Sequence, residues 1–255
     1  MKLHKYHSCE NYFLITDFID NIEYDILSKR LCDKYSVDGM IFVKMDPVQM
    51  YFYNKDGSKA KMCGNGIRTL MHYLYNRYGI YTHLDIKTDS GIYSCEILNK
   101  EPFVSSVSLG GGEFKEDLIN KTLQINDKDF IVTLFELGVK HLVVLTNDMV
   151  EDEKYILDLF NYPLFNKEVN INLVKPLNNN IFEILTYERG VGFTKSCGTG
   201  AASSAYVLNS IYGFDSNLIA LCPGGVLKID ISDEIVLIGE SVFIESYEEI
   251  IWKYC

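Results

Sequence analysis

Two segments of this 255-residue chain place a cysteine directly before Gly-x-Gly, at the mouth of a run with helical periodicity. The first is Lys61-Met62-Cys63-Gly64-Asn65-Gly66-Ile67-Arg68, followed by a helical pattern from Ile67 to Tyr75. The second is Lys195-Ser196-Cys197-Gly198-Thr199-Gly200-Ala201-Ala202, followed by one from Ala201 to Ile211. Each has strand-like segments before and after it. A chain that repeats the order strands, Cys-Gly-x-Gly, helix, strands is predicted to fold as two similar α/β halves.

The strand signals are short and frequent. Tyr12 to Thr16, Met40 to Val43 and Val48 to Tyr53 precede the first motif, and Ile22 to Tyr35 reads as a helix with Ile26, Leu27 and Leu31 on one face. Asn54-Lys55-Asp56-Gly57-Ser58 carries strong turn chemistry. After the motif, Asn76 and Gly79 supply a helix stop, and strands are expected over 84–88, 91–97 and 104–109. Gly110-Gly111-Gly112 marks the domain boundary. Beyond it, Leu123 to Ile125, Phe130 to Leu134 and the β-forming run from His141 to Leu145 are strands, and Val150 to Asn161 is a helix with an acidic start. In Val169 to Val174, Asn170 and Asn172 fall on one side of a strand, a pattern that solvation explains without catalysis. Ile181 to Tyr187 leads through Glu188-Arg189-Gly190 to the second motif. The last strands are Val226 to Ile231, Ile235 to Ile238, Ser241 to Glu245 and Ile250-Ile251-Trp252.

The formal net charge of −11 argues against a nucleic-acid or anionic-membrane surface, but not against an anionic small substrate held by a local arginine. The N-terminal segment breaks its apolar character too early for a secretory signal, and no apolar stretch approaches the ~18 residues of a spanning helix. A cytoplasmic location is the expectation. The cysteines at 9, 32, 63, 95, 197, 222 and 255 are odd in number and widely spaced, so they do not read as a disulfide framework. Neither a CxxC pair nor clustered histidines point to a metal. Cys32, Cys95 and Cys222 read as small core residues.

Cys63 and Cys197 differ because of what surrounds them. Glycines at a helix entrance let the backbone turn closely, and the amides there favour an anion and stabilise a thiolate. One isolated Cys-Gly-x-Gly also fits a tight turn with a packing thiol. A cysteine hydrolase with His141 as base leaves the second copy unexplained, and the Walker and Rossmann phosphate patterns are absent from the sequence. Two such helix entrances facing one substrate would hold a carboxylate and set a thiol on each side of its α-carbon. One thiolate would remove the α-proton and the opposite thiol would deliver another, inverting the centre by general acid/base chemistry.

At these residues the chain resembles the diaminopimelate epimerase family over nearly its full length. The resemblance rests on Asn54-Lys55-Asp56-Gly57-Ser58 with Cys63-Gly64-Asn65-Gly66, and on Tyr187-Glu188-Arg189-Gly190 with Cys197-Gly198-Thr199-Gly200. It implies an α/β (α+β) fold of two similar domains, each a mixed or antiparallel sheet wrapped around a central helix, with the active site in the interdomain cleft. The domains expected are residues 1–112, completed by a last strand at about 246–255, and 113–245. It further implies Cys63 and Cys197 as the proton-exchanging pair, without cofactor or metal. Gly64, Asn65, Gly198 and Thr199 would cradle the carboxylate at the reacting centre, His141 and Glu188 would address its amino group, and Asn11, Asn54, Asn170 and Arg189 would hold the distal end.

The implied reaction is LL- to meso-diaminopimelate, with a small amino acid as the sole partner class and a homodimer compatible with the sequence. Four departures bear on the substrate, the first a shortened segment before Asp38-Gly39. The family's Gly-Leu-Gly-Asn-Asp-Phe is here Ser8-Cys9-Glu10-Asn11-Tyr12-Phe13, its Gly-Asn-Pro-His is Gly138-Val139-Lys140-His141, and Phe193 replaces an acidic residue. A racemase of another polar amino acid, an epimerase of a lanthionine-like analogue, and a non-catalytic binding protein are the alternatives.

Overall fold

The computed structural model describes residues 1–80 and 82–250. The first part of the chain runs β1 (Lys2–Ser8), β2 (Asn11–Asp17), α1 (Tyr24–Tyr35), β3 (Gly39–Lys44), β4 (Gln49–Asn54), β5 (Lys59–Ala60), α2 (Gly64–Tyr78), β6 (Leu84–Thr88), β7 (Gly91–Lys100) and β8 (Phe103–Ser108). The second continues with β9 (Glu113–Phe114), β10 (Lys121–Ile125), β11 (Lys128–Leu137), β12 (Val139–Leu145), α3 (Met149–Asp152), α4 (Ile156–Asn161), β13 (Asn170–Pro176), β14 (Ile181–Glu188) and β15 (Gly192–Thr194). Then come α5 (Gly198–Tyr212), β16 (Asn217–Cys222), β17 (Gly225–Asp230), β18 (Val236–Glu240) and β19 (Val242–Glu248). The chain divides into two units: Met1–Ser108 with the chain from Ile238, and Leu109–Leu237. The division thus falls just before Gly110 rather than after Gly112, and the return to the first unit falls before β19 rather than near residue 246. Ile251 and Trp252, expected to be strand, lie outside the described residues.

In the first unit the strand order is β19-β1-β2-β3-β4-β6-β7-β8. Neighbours are antiparallel except β2 with β3 and β4 with β6. Helix α2 packs against β1, β2, β7, β8 and β19, so the sheet wraps around it. Its first two turns, residues 64–71, are buried all round, the signature of a core helix rather than a surface one. Ile67, Leu70, Met71 and Leu74 anchor it at the 3, 4, 7 spacing of one helical stripe. The opposite face of the sheet holds a second cluster, in which Leu27, Leu31 and Cys32 of α1 meet Leu14, Met40 and Phe42. Strands β2 and β3 are therefore buried on both faces, which explains their unbroken apolar runs.

The second unit repeats this plan in the order β10-β11-β12-β13-β14-β16-β17, again antiparallel except at two joins, β12 with β13 and β14 with β16. Helix α5 packs against β11, β12, β13, β16 and β17, through the fully buried Ala201, Ala202, Ala205 and Leu208. The other face carries Leu142, Val144, Ile171 and Leu173 against Ile156, Leu159 and Phe165. The expected duplication of an α+β domain around a central helix is thus present in both halves.

Local departures have local causes. Both core helices begin one turn earlier than the apolar periodicity predicts, because the glycines that read as punctuation are helical residues. The first ends as expected at Gly79 and the second at Gly213, both glycines in the left-handed conformation (φ 66° and 71°). The helix expected over 150–161 is broken into α3, a 3-10 turn and α4, its start capped by Asp148. Before Asn11 the chain makes a hairpin whose two turn residues, Cys9 and Glu10, have φ of 50° and 55°. Such turns favour Asn-Gly, so a Cys-Glu pair conceals one. No helix among the described residues is long and apolar enough to cross a membrane.

Candidate active site

Cys63 and Cys197 occupy the same place in the two units. Each is the N-cap of its core helix, with extended backbone (φ −146°, ψ 115° and φ −123°, ψ 111°). The first amides of a helix lack intrahelical acceptors and carry the positive end of its dipole. Each thiol therefore lies where an anion, either its own thiolate or a ligand carboxylate, is favoured. Cys32 and Cys95 are the contrasting case: both are wholly buried, and burial pushes their thiols up to about 12.

The two caps differ in detail. The Cys63 sulfur accepts the N–H of Gly66 at 3.4 Å. Beside it, Asn65 is held in a directed chain: the guanidinium of Arg68 donates to Asn65 Oδ1 at 2.6 Å, and Asn65 Nδ2 faces Asn11 Oδ1 at 3.5 Å. Asn11 Nδ2 in turn donates to Asp38 Oδ2 at 3.0 Å. Arg68 has no exposed surface, and its guanidinium also hydrogen-bonds the Cys9 thiol, opposing the upward pull of burial on that group. Four side chains thus settle which way the amides of Asn65 and Asn11 point. Asn54 lies at the end of β4 and donates to Ser58 Oγ at 2.9 Å, closing the turn as its sequence context predicts.

In the second unit the Cys197 sulfur lies 3.5 Å from Thr199 Oγ1, and Thr199 Oγ1 lies 3.1 Å from His141 Nε2. His141 Nδ1 meets Asn172 Nδ2 at 3.2 Å, and Asn172 Oδ1 accepts the hydroxyl of Thr186 at 3.1 Å. His141, Asn172 and Thr186 come from β12, β13 and β14, on the sheet face beneath the start of α5. Burial alone pushes the His141 imidazole down to about 3, so the ring is neutral. Expected to address a substrate amino group, His141 is instead wholly buried with both ring nitrogens engaged; it reaches the helix start through Thr199. Asn170 pairs laterally with His141, and its Oδ1 accepts the backbone N–H of Arg189 at 2.9 Å. That bond fixes the loop carrying the exposed Arg189 and the half-buried Glu188.

Sequence reasoning missed Arg68, Asp38, Asn172 and Thr186. The solvated reading of Asn172 is corrected: it has no exposed surface, because α5 covers that side of the strand. The available signal was motif spacing. Asn54 and Glu188 both stand nine positions before their cysteines, which sets Thr186 opposite Phe52, and through the strand registers Asn172 opposite Ile41 and His141 opposite Phe13. Three polar residues where the other half has apolar ones mark a difference between the copies.

The glycines of the second motif are set by this packing. A Cβ on Gly200 would lie 2.4 Å from Asn172 Oδ1, whereas on Gly66 the nearest atoms, Cys63 Cβ and Ile41 Cδ1, would lie 3.3 Å away. Because Asn172 is buried and bonded at both ends of its amide, Gly200→Ala is expected to destabilise by about 1–3 kcal/mol, less roughly 1 kcal/mol of helix propensity. Gly66→Ala should cost less. Thermal unfolding of the two variants checks the order, and equal melting temperatures would refute the tight contact at Gly200.

The diaminopimelate epimerase family model matches residues 3–113 and 133–244. A diaminopimelate epimerase from Clostridium perfringens is 32% identical, covering 96% of this chain and 97% of that protein. One from Methanocaldococcus jannaschii is 28% identical over 96% and 97%. Among solved structures, a phenazine biosynthesis protein of the PhzF family from Bacillus anthracis superposes with a TM-score of 0.74 at 16% identity, over 98% of this chain and 99% of that one. A hydroxyproline epimerase from Agrobacterium vitis gives 0.72 at 9%, over 100% and 92%. These two establish a shared fold. With the family model covering most of the chain, and thiols capping both core helices, the chain belongs to the diaminopimelate epimerase family and is a pyridoxal-phosphate-independent amino-acid racemase or epimerase.

Proposed function

We propose that this enzyme inverts one α-carbon of diaminopimelate, converting the LL to the meso isomer by proton transfer between two thiols and the substrate. The observation that carries the reading is the pair of N-cap cysteines on equivalent core helices, one in each copy of a duplicated fold. Cys63 and Cys197 act as base and acid on opposite faces of the α-carbon. The amides of Gly64-Asn65 and Gly198-Thr199 receive the carboxylate, whose negative charge grows as the proton leaves, so their contribution is larger in the transition state. Glu188 addresses the amino group, and His141 acts behind Thr199. Asn11, Asn54, Asn170 and Arg189 bind the distal amino-acid end, where a guanidinium suits a second carboxylate.

Val139 favours keeping a second substrate in view. It is 38% exposed and stands where the family has a polar asparagine, which leaves one distal group without that partner and opens space for another amino acid, a lanthionine-like thioether among them. The test is to incubate the reduced protein in deuterated water with diaminopimelate, lanthionine and a panel of polar amino acids, following α-deuterium uptake and inversion. Diaminopimelate is expected to invert fastest. Turnover of another substrate with none of diaminopimelate would overturn the assignment. Thiols are kept reduced because a disulfide would silence the reaction.

A further inference from the structure

We propose that Asn172 and Thr186 are positioning residues that hold His141 with its proton on Nε2, so that Thr199 turns its own hydroxyl proton toward the sulfur of Cys197. The inference rests on the reading of Cys197 as a proton-transfer thiol.

The argument begins at Gly200, whose α-hydrogen points at the Asn172 oxygen, since a Cβ built in that direction would come within 2.4 Å of it. An oxygen there makes a weak C–H···O contact, whereas the amide NH2 would set hydrogen against hydrogen. This contact settles the orientation that a side-chain amide otherwise leaves open. With Oδ1 toward Gly200 it also accepts the Thr186 hydroxyl at 3.1 Å, and Asn172 Nδ2 is left facing His141 Nδ1 at 3.2 Å. An amide nitrogen only donates, so Nδ1 must be the acceptor. The imidazole is neutral, and its single proton is therefore on Nε2, donated to Thr199 Oγ1 at 3.1 Å. The Thr199 hydroxyl, having accepted that bond, has its own proton available for the sulfur 3.5 Å away. Every donor in the sequence Thr186, Asn172, His141, Thr199, Cys197 thus points the same way, and the chain ends on the atom that a hydrogen-bond donor stabilises as thiolate.

The other copy of the domain shows what the fold requires without this function. At the positions of His141, Asn172 and Thr186 the first unit has Phe13, Ile41 and Phe52, with the two aromatic rings packed edge to face at 5.8 Å. Its cysteine has the Gly66 amide as donor and no hydroxyl at the position of Thr199, where Asn65 stands. The polar chain is therefore a property of one thiol and not a requirement of the architecture.

Two readouts taken without substrate test this. In protein carrying 15N-labelled histidine, the nitrogen shifts of His141 should show a neutral ring protonated on Nε2. In a Cys63→Ser background, the iodoacetamide alkylation rate of Cys197, followed on its peptide by mass spectrometry at fixed neutral pH, should fall between about threefold and tenfold in Thr186→Val. Thr186→Ser restores the hydroxyl and should restore the rate, which mere repacking around a lost methyl would not do. If Thr186→Val does not fold, the tautomer of the unaltered protein still decides. A proton on Nδ1, or alkylation of Cys197 unchanged by Thr186→Val, overturns the proposal. Failure of the epimerase reading would show elsewhere, as absent α-proton inversion in the unaltered chain, and leaves both readouts where they are.

Discussion

Cys63→Ser and Cys197→Ser are each expected to lower the rate of α-carbon inversion at least a thousandfold while leaving the fold intact. A serine hydroxyl is close in size to the thiol but far weaker as an acid, so it fails both as a base and as a proton donor near neutral pH. General acid/base catalysis supplies about 10²–10⁴-fold for one well-placed group, and inversion needs two groups in opposite protonation states at once. The losses should be equal for the two variants in net inversion and unequal in exchange. With one thiol gone, the remaining one can still remove the α-proton of the stereoisomer that faces it and return a solvent deuteron to the same side. Each single variant should therefore show deuterium uptake with retention for one isomer and nothing for the other, with the preference exchanged between them. The experiment is proton NMR of separate isomers in deuterated water. Residual inversion in either variant within tenfold of the unaltered enzyme would defeat the two-thiol mechanism. The double variant checks the logic, since it should lose exchange with every isomer.

How much of this was readable in the sequence depends on what each residue type signals locally. The duplicated Cys-Gly-x-Gly and the apolar stripe of Ile67, Leu70, Met71 and Leu74 report directly on helix entrance and buried face, and both halves of the fold follow from them. The glycine stop at Gly79 was equally legible, because a left-handed residue ends a helix by local geometry alone, and Gly213 ends the second core helix in the same way. Asn172 and Arg68 were not. In a strand, alternating polar and apolar residues signify one solvated face only when nothing covers that face; here α5, which begins at Gly198, 26 positions after Asn172, covers it and decides the matter. Arg68 falls on the same helix as Ile67 and would ordinarily mark its wet side, yet residues 64–71 have no wet side. A charged or amide side chain with no exposed surface requires hydrogen bonds to compensate for lost hydration. Asn172 finds its partners on the neighbouring strands β12 and β14, and Arg68 meets Cys9 in the turn after β1 as well as Asn65 on its own helix, so neither burial can be read from the local pattern alone. The break in the helix after Asp152 is the reverse case, where local pattern promised more regularity than the packing of Ile156 and Leu159 allowed.

The neutral, buried His141 carries a cost that appears as acid sensitivity. Its folded-state value is depressed to about 3 from an ordinary 6.5, with burial as the cause. In the unfolded chain the imidazole takes up a proton as pH falls through 6.5, while in the folded protein it does not until far lower. Its contribution to stability is therefore complete above pH 6.5 and is lost progressively below it, at about 1.4 kcal/mol per pH unit, or roughly 2–3 kcal/mol by pH 4.5. His72, in the first unit, is stacked on Phe103 at 4.1 Å and is likewise pushed down to about 4 by burial, with its bond to the Ser241 carbonyl opposing; being only partly buried, it adds less. The window from pH 6.5 to 4.5 is that of the histidines: of the carboxylates held below their usual range, Asp17 and Asp56 lose their contribution only at lower pH, and Glu249 begins to lose its own only at the lower edge, equally whether or not His141 is present. The discriminating variant is His141→Phe with Asn172→Ile and Thr186→Val, which writes the apolar pattern of Phe13 and Ile41 into the second unit. Urea titrations across this window should show the unaltered protein losing about one proton's worth of slope more than the variant, which should be the more stable of the two at pH 4.5 relative to their difference at pH 7.5. Parallel stability curves would mean that His141 takes up its proton in the fold as it does in the unfolded chain. The same fold thus supports a dry shelf under one cysteine and a hydrogen-bonded one under the other. The acid sensitivity of the second is a physical cost that packing alone does not demand, and that a directed donor to Cys197 does.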